Sequence, residues 1–147
     1  MAPVAASAGG LIDTSVIIAL IHRSDRRHAE CLQAYNNVRL PLLTTQAVLT
    51  EAFYLAARIG LDVRAIWRLL RSGAVLLSPI AHEGLPQIQG LMHDYADRPM
   101  DFADATLVHL ATRERLSTIL TIDHDDFETY RLPRNKKFTI LPARKKS

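Results

Sequence analysis

Short apolar runs alternate with helical stripes along this chain. Gly10-Leu11-Ile12 is a brief apolar run that ends at Asp13, the mark of a short buried strand. Residues 14–22 then carry helical character, and Asp25 stands where it can cap a second helix over about 27–36. Pro41-Leu42-Leu43-Thr44 reads as a second strand. The spacing predicts a strong helix over 46–59, closed by Gly60, and another over 62–71 that ends before Gly73. Residues 74–77 form a third strand, stopped by Pro79, and a helix over about 83–95 follows. Pro99 breaks the chain. Asp101 then opens a helix that turns Leu107, Val108, Leu110 and Ala111 toward the core. Residues 117–122, rich in Thr, Ile and Leu, read as a fourth strand, and 138–141 as a fifth at a sheet edge.

Strands that alternate with helices require crossover connections and hence a parallel sheet. The predicted class is therefore α/β: a three-layer α/β/α sandwich around a central five-stranded parallel sheet. Ligands of such sheets bind beyond the carboxyl ends of the strands, near a switch in strand order. The side chains that follow the strands are thus the first candidates for chemistry.

A chain of 147 residues suits one domain. The expected organisation is a flexible leader over residues 1–9 and a single domain over 10–147. With 48% apolar and 22% charged residues, the chain can bury a core and stay dissolved. Its single cysteine, Cys31, has no partner for a disulfide and no zinc-ligating neighbours, so it reads as a small semi-buried hydrophobe. The longest apolar run, Val16 to Ile21, falls far short of the ~20 residues a membrane helix needs. The bland N-terminus is no signal peptide. No membrane association and a cytoplasmic location are the expectation. Net charge is +3, but the distribution matters more. Arg131, Arg134, Lys136, Lys137, Arg144, Lys145 and Lys146 crowd into the C-terminal stretch with no acid among them, a basic end suited to a polyanion or simply to solvent.

Four acids stand out against this background. Asp13 ends the first strand and Asp123 the fourth, so both fall at the ligand-binding edge, where an Asp also serves as a helix cap. Glu51 lies in Ala47-Val48-Leu49-Thr50-Glu51-Ala52-Phe53-Tyr54, a helix apolar nearly all round and expected to be buried. A buried carboxylate there needs a cation or donors; the alternatives are a salt bridge to Arg58 or an outward-pointing side chain. Asp104, between two alanines, shares a helix face with Asp101, which itself suits the helix cap. Massed carboxylates repel one another and call for a cation. An all-oxygen ligand set selects Mg²⁺ or Mn²⁺ over zinc. Such an ion, held against a phosphate, furnishes a phosphodiesterase. The histidines show no metal-binding spacing, and His124 reads as a surface residue. Trp67 reads as core, or else as an anchor for a partner on apolar helix faces over 14–21 and 46–71.

The ordered set Leu11-Ile12-Asp13-Thr14-Ser15, Thr50-Glu51, Asp101-Phe102-Ala103-Asp104-Ala105 and Thr121-Ile122-Asp123-His124-Asp125-Asp126-Phe127 resembles the PIN-domain nucleases, and among them the VapC toxins of type II toxin–antitoxin pairs. The likeness covers nearly the whole chain after Gly10. It implies a PIN-like fold, Mg²⁺- or Mn²⁺-dependent endonucleolytic cleavage of RNA, a homodimer and inhibition by a cognate antitoxin. It assigns catalysis and metal binding to Asp13, Glu51, Asp104 and Asp123. Thr14, Ser15 and Thr121 match small hydroxyl positions beside the site, although Ser15 often appears as Asn in the family. Asp101 and Asp126 are further acids, and Asp101 competes with Asp104 as the ligand on its helix. Other readings stay open. A receiver domain lacks its lysine here, a haloacid-dehalogenase-type phosphatase lacks its second Asp at position 15, and a catalytically silent PIN-fold binding protein retains only the shape.

Overall fold

The computed structural model describes residues 8–98 and 100–145. The break expected at Pro99, residues 1–7 of the expected leader and Lys146 of the basic end lie outside the described residues. The two described residues of that leader already belong to the fold. Ala8 is buried, and the Gly9 N–H donates to the Pro41 carbonyl at 3.0 Å.

Five short strands make the sheet: β1 (Gly10–Ile12), β2 (Leu42–Thr44), β3 (Val75–Leu77), β4 (Thr118–Leu120) and β5 (Thr139–Leu141). All pair in parallel, in the order β3-β2-β1-β4-β5, with β5 at an edge. Every side chain of β1 and β2 is buried, which accounts for their unbroken apolar sequence: helices cover both faces of the sheet. Each Leu or Ile enclosed there contributes ~1.5–3 kcal/mol of apolar burial. Close packing also explains a glycine. A Cβ on Gly10 would stand 2.6 Å from the Thr118 carbonyl oxygen on β4.

The helices are α1 (Thr14–Ile21), α2 (His28–Asn37), α3 (Gln46–Arg58), α4 (Arg64–Arg71), α5 (Leu85–Asp94), α6 (Phe102–Glu114) and α7 (His124–Thr129). Helix α1 packs against α2, α3 and α4, whereas α6 lies under β1 and packs against α3 and α5. Thr45 caps α3 by accepting from the Val48 N–H, and Gly60, at φ +77°, lets the chain turn away past its end. Leu107, Val108, Leu110 and Ala111 of α6 are buried as their spacing predicts, and the burial extends all round, through Ala105, Thr106 and His109.

Three expectations are corrected. Helix α3 is not enclosed: Glu51, Tyr54, Ala57 and Arg58 face solvent, and only Val48, Leu49, Ala52 and Ala56 are buried. Trp67 is not core but 53% exposed, tilted against Phe53 with ring centroids 5.1 Å apart. His124 is not a surface residue. It is buried, and its Nε2 donates to the Pro142 carbonyl at 2.8 Å, tying α7 to the chain after β5. Cys31 is fully buried, as a small hydrophobe should be. Among the described residues no helix is long and apolar enough to cross a membrane.

Candidate active site

The strand order reverses between β1 and β4, the crevice where a doubly wound sheet offers its ligand site. Asp13 leaves β1 and Asp123 follows β4, so the chain topology delivers both to that crevice. Asp13 is 3% exposed and pinned on all sides. Its Oδ1 accepts from the Thr14 N–H at 2.7 Å, and its Oδ2 accepts from the Thr121 hydroxyl at 2.9 Å. Its own N–H donates to the Leu120 carbonyl at 2.9 Å, which locks the residue to β4. Asp13 therefore does cap α1, but that duty occupies one oxygen only.

Ser15 and Thr121 knit the loops of the crevice together. The Ser15 hydroxyl lies 3.4 Å from Asp13 Oδ2 and 3.3 Å from the Thr121 hydroxyl, and it accepts from the Ile122 N–H at 3.1 Å. Thr121 accepts from the Asp123 N–H at 3.0 Å. Thr14 donates to the Val48 carbonyl at 3.2 Å, linking α1 to α3. Behind them stand buried threonines that the sequence did not single out. Thr44 donates to the Ile12 carbonyl at 3.1 Å, and the Thr45 and Thr106 hydroxyls meet at 2.8 Å across α3 and α6. Each hydroxyl satisfies its neighbour without adding charge, which keeps the frame rigid around the acids.

Asp101 caps α6, its Oδ1 accepting from the Asp104 N–H at 2.7 Å, and it is exposed. Asp104, one turn inward, turns its carboxylate toward the crevice. There it acts on the charge of Asp13, and its Oδ2 accepts from the buried Tyr130 hydroxyl at 2.7 Å. Asp123 stands at the mouth, and its carboxylate makes no cap to α7. Asp126, on α7, lies 3.7 Å from Arg98 and adds its charge to both Asp104 and Asp123.

Gathering these acids has an electrostatic cost. Loss of water, with Asp104 and Asp123 close by, pushes Asp13 up to about 8 from its ordinary 3.8, against the opposing bonds from Thr121 and Thr14. Burial raises Asp104 to about 7, although the Tyr130 bond opposes it. Asp123 is raised by loss of water on its inner side and by Asp126. Among the described residues, none of the three has an ion-pair partner. A positive charge brought to the crevice would therefore favour the ionised form of all three.

The donor set fits a hard divalent cation: carboxylates and hydroxyls, with no thiol or imidazole facing in. Among the described residues, no three Asp, Glu, His or Cys side chains stand as a ready-made metal cage. Mg²⁺ asks for no such cage, since it keeps several waters and takes one or two carboxylates together with a substrate phosphate.

Glu51 is placed differently from the trio. It is exposed on α3 and lines an open groove of about 580 Å³ with Gln46, Thr50, Ile80, Asp101 and Thr106. It is not among the charges that act on Asp13, Asp104 or Asp123. A second, polar cleft of about 450 Å³ opens beside Asp123, where Arg27, Arg98 and Arg144 alternate with Asp125 and Asp126. Arg144 there grips Asp125 at 2.5 Å and Glu128 at 3.0 Å, so part of the basic C-terminal stretch is fastened over α7. Of the residues that sequence reasoning missed, Tyr130 is the nearest to the acids. It follows a short acidic helix that no apolar period announces.

This fold is that of a known class. The PIN-domain family model matches residues 10–132, and the chain belongs to the PIN-domain family. Within it, the chain is 32% identical over 134 residues to ribonuclease VapC26 of Mycobacterium tuberculosis, an alignment covering 90% of this chain and 99% of that relative. Two solved structures share the fold. One is the crystal structure of M. tuberculosis VapC20, a toxin described as cleaving the sarcin–ricin loop, with a TM-score of 0.69, 20% identity and coverage of 80% of this chain and 93% of that one. The other is a toxin–antitoxin complex from Klebsiella pneumoniae, with a TM-score of 0.63, 22% identity and coverage of 82% and 91%.

Proposed function

We propose that this chain is a metal-dependent endoribonuclease, the toxin of a VapBC-type toxin–antitoxin pair, acting on RNA in the cytoplasm. One observation carries the chemistry. Three carboxylates from three separate elements, Asp13, Asp104 and Asp123, act on one another's charge at the strand-order switch, and among the described residues none of them is paired with a basic side chain. A bound divalent cation, Mg²⁺ or Mn²⁺, supplies Lewis-acid polarisation of a phosphate and a lowered pKa for water. Asp13, Asp104 and Asp123 hold it. Thr14, Thr121 and Ser15 orient Asp13. Glu51, on its long side chain at the neighbouring groove, serves a second cation or the attacking water. Asp101 keeps α6 capped, and Asp126 adds negative charge at the mouth. Flanking phosphates of the RNA would draw on Arg27, Arg98 and Arg144 in exchange for the carboxylates that now pair with them, Glu30, Asp126, and Asp125 with Glu128.

The homology to ribonuclease VapC26 supports the RNA substrate, and the toxin–antitoxin neighbour supports a protein inhibitor. Exposed Trp67, tilted against half-buried Phe53, with exposed Tyr54 on α3 and Ile59 at its end, suits such a contact or a homodimer, because clustered apolar surface marks an interaction site. The activity is tested with end-labelled total RNA and purified protein in Mg²⁺, in Mn²⁺ and in EDTA, beside Asp13→Asn. Discrete fragments that require both the metal and Asp13 are expected. A fully active Asp13→Asn protein would remove the acids from the mechanism.

A further inference from the structure

We propose that Tyr130 is a positioning residue of this site: its buried hydroxyl holds one oxygen of Asp104 and leaves the other to the cation. The inference rests on reading the three carboxylates as a cation site. Tyr130 is 0% exposed, and its hydroxyl donates to Asp104 Oδ2 at 2.7 Å. Among the described residues, Asp104 Oδ1 has no hydrogen-bond partner. Among the described residues, the Tyr130 hydroxyl is the one hydrogen-bond donor to the Asp104 carboxylate.

The tyrosine is itself held firmly. Its ring meets Tyr95 and Phe127 edge-on, each at a centroid distance of 5.1 Å, and Phe127 meets Phe138 in turn at 5.6 Å. The Tyr95 hydroxyl accepts from the Arg131 N–H at 2.9 Å, and the Tyr130 N–H donates to the Asp126 carbonyl at 3.1 Å. This aromatic wedge fixes where the hydroxyl points. A rigid partner behind a ligand keeps it in the geometry the cation needs, and losing such a partner typically weakens binding by about 10–100-fold.

Tyr130→Phe keeps the ring and its edge contacts and removes only the hydroxyl. The readout is Mn²⁺ affinity of the RNA-free protein, by electron paramagnetic resonance, with melting temperature alongside. Phe127→Leu is the control, because it loosens the same wedge but spares the hydroxyl. The expected result is a loss of about tenfold or more in Mn²⁺ affinity for Tyr130→Phe, with little change in melting temperature, while Phe127→Leu melts earlier and loses less Mn²⁺ affinity because the hydroxyl is still present. Unchanged affinity in Tyr130→Phe would overturn the proposal. So would an equal loss in Phe127→Leu, which would assign the effect to packing. Because no RNA is present, a wild type that binds Mn²⁺ but leaves RNA uncut sinks the nuclease reading alone. A wild type that binds no Mn²⁺ sinks both.

Discussion

Asp13→Asn is expected to make the metal-free protein more stable while it abolishes cleavage. In the unfolded chain Asp13 titrates near 3.8, whereas in the fold it titrates at about 8. At pH 7 folding must therefore take up a proton, which costs ~4 kcal/mol. An asparagine carries no such cost in either state. It does lose one acceptor, since its amide nitrogen must face Thr121 or Thr14 in place of a carboxylate oxygen, a penalty of ~1–3 kcal/mol. The net gain is ~1–3 kcal/mol, or roughly 2–10 °C in melting temperature for a chain of this size. The sign follows from the raised pKa. The cost is absent below about pH 4, where both states are protonated, grows as pH rises, and levels off above about 8. Thermal melts in EDTA across this range measure it directly. Near pH 4 the variant should melt below the wild type, by the lost acceptor alone, and as pH rises it should cross and melt above it toward pH 8. Mg²⁺ should then raise the wild type and leave the variant in place, because a ligand stabilises only the state that binds it. A variant that melts below the wild type at pH 8 in EDTA would refute the claim that burial, with Asp104 and Asp123 close by, raises Asp13 in the metal-free protein.

Other consequences follow from the same geometry. Because Asp13 and Asp104 titrate at about 8 and about 7, cation binding must displace their protons, so Mn²⁺ affinity should climb from about pH 6 to about pH 9; isothermal titration would show a flat profile if other groups held the ion. Glu51→Gln should melt within about 0.5 kcal/mol of the wild type, since the side chain is exposed. Its cleavage rate should fall by ~10-fold or more if Glu51 serves a cation or the attacking water, and an unchanged rate in a single-turnover assay would remove it from the site. Leu11→Ala, in the fully buried centre of β1, should cost ~2–5 kcal/mol; urea unfolding with a smaller loss would mean that the crevice does not rest on that strand.

The sequence made the sheet and the trio legible for a physical reason. Strands enclosed on both faces need unbroken apolar runs, and the acids that end them interrupt those runs abruptly, as Ile12-Asp13 does. Helix α6 was plain at its start, where Asp101 caps it, and in its Leu107, Val108, Leu110 and Ala111, but its burial runs through seven consecutive residues, Thr106 and His109 included, which a helical period does not announce. Helix α3 misled. A helix with a second apolar face looks the same in sequence whether that face meets its own core or lies open, which is why Glu51 on α3 and Trp67 on the neighbouring α4 look buried in sequence and stand exposed in the fold. Helix α7 left no trace, since six residues with acids in the first turn show no period. The link from Tyr130 to Asp104 joins residues 26 apart. Only the folded chain brings them together.

The central claim is that carboxylate-held metal directs water onto an RNA phosphodiester, and the chemistry of the cut ends tests it most directly. RNA cleaved by the wild-type protein in Mg²⁺ should carry 5′-phosphate and 3′-hydroxyl ends, with no fragments in EDTA and none from Asp104→Asn. Fragments bearing 2′,3′-cyclic phosphates, or cutting that persists in EDTA, would mean that the RNA's own 2′-hydroxyl attacks and that these acids serve some other purpose.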